Sequence, residues 1–184
     1  AAKEKGYKVG ITTSVSIDHA TPASFYAHQT SRSKYYEIAT DIQKSNFDFF
    51  AGSGFLKPDL DNEKKNVTPI FTILKNSGYT LAYGKSDFEK QKNIANKVIL
   101  MNSKNTDPES LKFAIDQKED DLNLKEITTA AIESLQKDNN KGFFLMVEGG
   151  KIDWSSHSND VATTLHEVLD FNQSVKVAYD FYLK

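Results

Sequence analysis

At 184 residues, 39% hydrophobic and 26% charged, the chain has the composition of a globular domain large enough for one substantial core. A formal net charge of −2 gives no basic footprint for nucleic acid, and no apolar run approaches the roughly 20 residues needed to cross a bilayer. With no cysteine, disulfides, thiolate metal sites and cysteine nucleophiles are excluded, so any metal must be held by His, Asp, Glu and other oxygen donors.

The opening AAKEKGYKVG reads as a helix end running into a strand, without a signal-peptide pattern. This start, and the amphipathic helix VKVAYDFYLK at the other end, suggest a segment of a longer protein. YKVGITTSV (7–15) is a β-rich apolar run, hence a buried strand. TPASFYAHQTSR (21–32) then predicts a helix, with Thr21 as its N-cap and Pro22 at the first helical position. YYEIATDIQKS predicts another helix, and FDFFAGS (47–53) a strand ending in a Gly-rich loop.

The middle of the chain is more polar. NVTPIFTILKNSG (66–78) predicts a helix closed by Gly78, and YTLAYG and KVILM predict short strands around the lysine-rich KSDFEKQKNIANK. Residues 55–120 are therefore expected as an inserted or peripheral excursion beside the main sheet. LKEITTAAIESLQK (124–137) is amphipathic, with Ile127, Ala130, Ala131, Ser134 and Leu135 near one face. FFLMVE (143–148) is apolar on both faces, as in the centre of a parallel sheet, and a helical stretch with one bend follows from 158. Alternating strands and helices predict an α/β layered sheet of mostly parallel strands with flanking helices, its ligands beyond the carboxyl ends of the strands.

Two stretches start at such ends. In VEGGKIDWSSH (147–157), Glu148 closes a buried strand, where an acid needs a partner because an unpaired buried charge is costly. Asp153 and His157, four apart, lie on one helical face; they are either a carboxylate–imidazole pair suited to zinc or a helix cap followed by a surface histidine. In IDHATPASFYAHQTSR, His19, Thr21 and Arg32 surround a strand-to-helix turn. Arg32 is the one arginine beside 22 lysines, by chance or because a guanidinium fork is needed to grip an anion. The AGSG loop at Gly52 and Gly54 is a weak phosphate signal, and no G-x-S-x-G elbow, P-loop or dinucleotide fingerprint is present.

Together HATPASFYAHQTSR (19–32) and VEGGKIDWSSHSND (147–160), continuing through LHEVLDFNQSV, resemble the alkaline phosphatase family. GYKVGITTSV and FDFFAGSG also resemble its strands, whereas 55–120 is only loosely similar. The resemblance implies that residues 1–184 form the central segment of a single alkaline-phosphatase-like α/β domain. It implies that Glu148 and Thr21 hold magnesium, that Asp153 and His157 are two of the three protein ligands of a catalytic zinc, and that Arg32 clamps two phosphate oxygens. His19 and Trp154 stand at positions that vary within the family. His19 is expected near the magnesium site and Trp154 near the phosphate, both acting through neighbouring groups rather than as ligands.

An intact member carries two zincs and a magnesium and hydrolyses phosphate monoesters through a phosphoserine. The family's Asp-Ser nucleophile, its Asp bridging zinc and magnesium, the ligands of its second zinc and a further His of the first have no counterpart in these residues. The 184 residues are therefore expected to be inactive alone. The resemblance further implies a periplasmic or secreted protein, homodimeric when intact, whose partners are small phosphate esters. Two rival readings are a related metal-dependent phosphodiesterase or sulfatase-like hydrolase, and a non-catalytic phosphate- or metal-binding module.

Overall fold

The computed structural model describes residues 1–63, 65–104 and 106–184. Five strands form one sheet in the order β3-β4-β2-β1-β5: β1 (Lys8–Thr13), β2 (Phe49–Ala51), β3 (Thr80–Tyr83), β4 (Val98–Met101) and β5 (Phe143–Glu148). Every neighbouring pair is parallel. Parallel neighbours cannot be joined by tight turns, so the connections cross the faces of the sheet and helices fill them. These are α1 (Ala20–Ala23), α2 (Tyr35–Ser45), α3 (Ile70–Asn76), α4 (Gly84–Gln91) and α5 (Leu124–Gln136), followed after β5 by α6 (Lys151–His157) and α7 (Val161–Tyr182).

The two-residue period of the strands sorts the core into two layers. Val9, Ile11, Phe50, Leu81, Ile99 and Met101 pack with Ile38 and Ile42 of α2 and Ile70 and Leu74 of α3. Phe49, Ala51, Ala82, Val98 and Leu100 join Phe88 of α4 and Ile127, Ala131 and Leu135 of α5 in the second layer. The α5 periodicity is thus realised, and its start is fixed by a capping box in which the Asn123 side chain accepts from Glu126 N at 2.9 Å. At Gly10 of β1 a Cβ would stand 2.7 Å from Leu135 Cδ1, so the missing side chain lets α5 lie close to the sheet without displacing Leu135.

Three expectations are corrected. The stretch 55–120 does not lie apart from the sheet, since it supplies β3 and β4, with β4 paired between β2 and β3. The helix expected over 21–32 ends at Ala23. Beyond it, contacts distant in sequence satisfy the backbone: Asp41 accepts from His28 N at 3.0 Å, and buried Tyr26 donates its hydroxyl to Ile17 O at 2.8 Å.

The third correction is the place of β5, an edge strand paired only with β1 among the described residues, in which no residue is fully buried and Phe144 is 42% exposed. Its two apolar faces suggested a central position, but that inference assumes a neighbour on each side. On α7, which continues unbroken from Val161 to Tyr182, Thr163, Glu167 and Ser174 face inward while Leu165, Val168, Leu169, Val175 and Tyr179 are exposed.

Candidate functional site

Thr13 and Glu148 are partners in the parallel register of β1 and β5, so the two strands end side by side. The loops that leave them, 14–32 and 149–157, therefore meet beyond the carboxyl edge of the sheet, where open α/β sheets place their ligands. Between them lies a cleft of about 830 Å³ whose lining includes His19, Thr21, Arg32, Glu148, Asp153 and Trp154. Six of the seven residues singled out in the sequence are brought together there. The seventh, His157, lies beside it on α6, with Nε2 3.4 Å from Asp153 Oδ1; the two side chains are 80% and 72% exposed.

Glu148, the last residue of β5, accepts a 2.6 Å hydrogen bond at Oε2 from the hydroxyl of buried Thr13. The Thr13 oxygen in turn accepts from Val15 N at 3.2 Å. Sequence reasoning did not select Thr13, because only the strand register, which no linear motif reveals, sets it against Glu148. The two glycines after Glu148 allow close approach. A Cβ on Gly149 would lie 3.0 Å from Phe171 of α7, and one on Gly150 would lie 3.0 Å from Val15 and 3.3 Å from the Glu148 carboxyl carbon. The chain can thus turn from β5 into α6 while pressed against the exit of β1 and against α7.

Within α6 the four-residue spacing puts Asp153 and His157 one turn apart, as expected. Trp154 sets its ring edge-on against His19, with centroids 5.8 Å apart at 63°. On the opposite wall His19, not Thr21, occupies the N-cap of α1, and Thr21 is exposed to the cleft from the first turn. Pro22 still falls in that turn, where its missing N–H is not needed.

Arg32 is exposed, and its Nη2 lies 3.3 Å from His19 Nε2. Arginine only donates, so Nε2 is the acceptor and the proton of neutral His19 sits on Nδ1, which is buried without a partner among the described residues. Burial lowers the pKa of His19; the nearby Glu148 carboxylate opposes this and the Arg32 charge reinforces it. His19 thus accepts from Arg32, which also lines the cleft.

Next to His19, fully buried Asp18 accepts from Leu56 N at 3.0 Å through Oδ2, while its Oδ1 has no partner among the described residues. Burial outweighs its hydrogen bonds and pushes its pKa up to about 6. The only sequence signal for this group was an acid closing the apolar SVSI run.

The donor set suits hard or borderline cations. Glu148 and Thr21 offer oxygen from facing walls of the cleft, and Asp153 with His157 offers oxygen and nitrogen at its rim. Among the described residues no group of three or more His, Asp or Glu side chains converges to hold an ion. These donors fit part of a coordination shell, not a whole one.

A parallel α/β sheet gathers oxygen donors, a histidine and a guanidinium at its carboxyl edge, where open α/β sheets place their ligands. The sequence matches the family model for alkaline phosphatase over residues 1–53 and 56–184, and the chain belongs to that family. It is 37% identical to alkaline phosphatase 3 of Bacillus subtilis and 34% identical to alkaline phosphatase 4 of the same organism, the matches covering all of this chain and 38% of each relative. The alkaline phosphatase of the Antarctic bacterium TAB5 superposes with a TM-score of 0.83 at 34% identity, over 98% of this chain and 50% of that one. A mutant of the TAB5 enzyme described with Mg bound matches with the same TM-score at 33% identity, over 98% of this chain and 49% of that one. The chain thus spans about two fifths of the curated relatives and about half of these solved structures.

Proposed function

We propose that these residues are the central part of a metal-dependent phosphomonoesterase, acting through a phosphoserine formed on a serine supplied from outside the 184 residues. The observation that carries this reading is the meeting of Thr21, Arg32, Glu148 and Asp153 around one cleft at the carboxyl ends of β1 and β5. The match to only about two fifths of the curated relatives, the outer edge of β5, unpaired among the described residues, and the exposed apolar residues of α7 support a longer parent whose remainder completes the site.

In this reading Glu148 and Thr21 hold magnesium, and Asp153 and His157 hold one of two zincs. When bound, such ions neutralise charge on phosphate oxygens and favour ionisation of an attacking oxygen. Arg32 donates two hydrogen bonds to a terminal phosphate, a geometry that favours the dianionic monoester. His19 keeps the guanidinium aimed by accepting from its other edge, and Trp154 walls the cleft beside it. The intact protein is expected in the periplasm or outside the cell, as a homodimer.

Sequencing the coding DNA on both sides of the segment tests this. An Asp-Ser pair upstream and His-bearing strands downstream support the phosphomonoesterase. Flanks without those residues remove the catalytic reading.

A further inference from the structure

Three segments meet at one buried ammonium behind the cleft. Lys151, the first residue of α6, is fully buried, and its Nζ lies 3.2 Å from Glu167 Oε1 of α7, which is itself 3% exposed. The same ammonium stands 4.3 Å from the centroid of the Phe113 ring. Glu167 Oε1 also accepts from Ala114 N at 2.7 Å, and Asp170 Oδ2, one turn along α7, accepts from Leu124 N at 3.4 Å. Both ends of the 113–124 stretch are therefore fastened to α7, and Lys151 ties α6 to the same place.

Lysine is almost never fully buried unless paired, and a buried ion pair gives little stability over an apolar pair of similar volume. What such a pair supplies is direction. With only seven residues, α6 is too short to hold its own orientation. Residues of a helix advance by about 100° each, so Asp153 lies about 200° around the axis from Lys151. Trp154, three residues on, lies about 60° from the lysine on its other side, so fixing the inward lysine fixes the bearings of both Asp153 and Trp154, which line the cleft.

We propose that Lys151 is a positioning residue: its ammonium, held between Glu167 and Phe113, sets the rotation of α6 and so aims Asp153 and Trp154. The part that concerns Asp153 as a ligand rests on the function proposed above, whereas the part that concerns Trp154 does not.

Trp154 is the only tryptophan of the chain and a direct reporter of this geometry. The test compares wild type, Lys151→Arg, Lys151→Met, Glu167→Gln and the double variant Lys151→Met/Glu167→Gln. Far-UV circular dichroism and urea unfolding follow the fold, and acrylamide quenching of Trp154 follows its seat against His19. Glutamine keeps an acceptor for Ala114 N, so Glu167→Gln carries the test if Lys151→Met does not fold.

Lys151→Arg is expected to match wild type. The two single neutral variants are expected to loosen the ring contact of Trp154 and raise its quenching constant about twofold. The double variant, with no buried charge left alone, is expected to regain the unfolding midpoint with Trp154 still displaced. Recovery of both, or wild-type quenching in a folded Lys151→Met, overturns the proposal and leaves an ordinary packing contact. A Zn²⁺ titration of wild type separates this from the proposed function. Displaced Trp154 in the variants supports the positioning role even where wild type shows no Zn²⁺ response, an outcome that counts against the metal reading alone.

Discussion

Asp18→Asn is expected to stabilise the chain at neutral pH and to leave it unchanged in acid. Asp18 is fully buried, one of its carboxyl oxygens has no partner among the described residues, and its pKa is raised from 3.8 to about 6. That rise corresponds to about 3 kcal/mol of destabilisation at pH 7. Below about pH 3 the carboxyl is protonated in both the folded and the unfolded chain and contributes no difference. As the pH climbs from about 4 to about 6 the unfolded chain ionises first, the folded chain binds the extra proton, and stability drains away. Above that window the loss is complete and constant.

Asparagine never ionises and keeps an oxygen for Leu56 N. Its gain should therefore be near zero at pH 3, grow through pH 4 and 5, and level off at about 3 kcal/mol by pH 7.5, or about 6–12 °C in melting temperature. Urea unfolding followed by circular dichroism at four pH values reads this directly. A gain equal at every pH, or none at pH 7.5, would refute the argument that desolvation of Asp18 dominates.

Thr13→Val should cost about 1.5–3 kcal/mol at neutral pH, because it removes a hydrogen bond to a carboxylate and the acceptor of Val15 N; Thr13→Ser should retain most of it, and urea unfolding distinguishes the two. Gly10→Ala should destabilise by about 1–3 kcal/mol through the clash with Leu135, and an unchanged midpoint would mean that the Leu135 side chain steps aside without cost. In the intact enzyme Arg32→Ala should weaken inhibition by inorganic phosphate more than Arg32→Lys does, since lysine keeps the charge but loses the fork. Equal inhibition constants would argue against a two-point grip.

The α/β class was legible because its signals are local: β-branched and aromatic runs at 7–15 and 143–148, and the 3.6-residue pattern of 124–137. The stretch 21–32 misled for the opposite reason. Its Thr-Pro start and alanines favour a helix, but Asp41 captures the backbone at His28 and Tyr26 is drawn inward to Ile17, contacts no window of that length contains. The position of β5 in the sheet depends on which strands are its neighbours, and hydropathy does not carry that information.

At the site, residue types that do chemistry stood out, and six of them share one cleft. Their supports did not. Thr13 and Lys151 look like ordinary strand and loop residues until register and burial reveal them, and Gly149 and Gly150 gain their meaning only from Phe171 and Val15.

The most direct test of the proposed activity is hydrolysis by the product of the intact gene, with a phosphate monoester, a phosphodiester and a sulfate ester compared before and after chelation. The account predicts that the monoester is strongly preferred, that activity is lost on metal removal, and that it returns with zinc and magnesium together. A preference for the diester or the sulfate, or monoester hydrolysis that survives chelation, would contradict it.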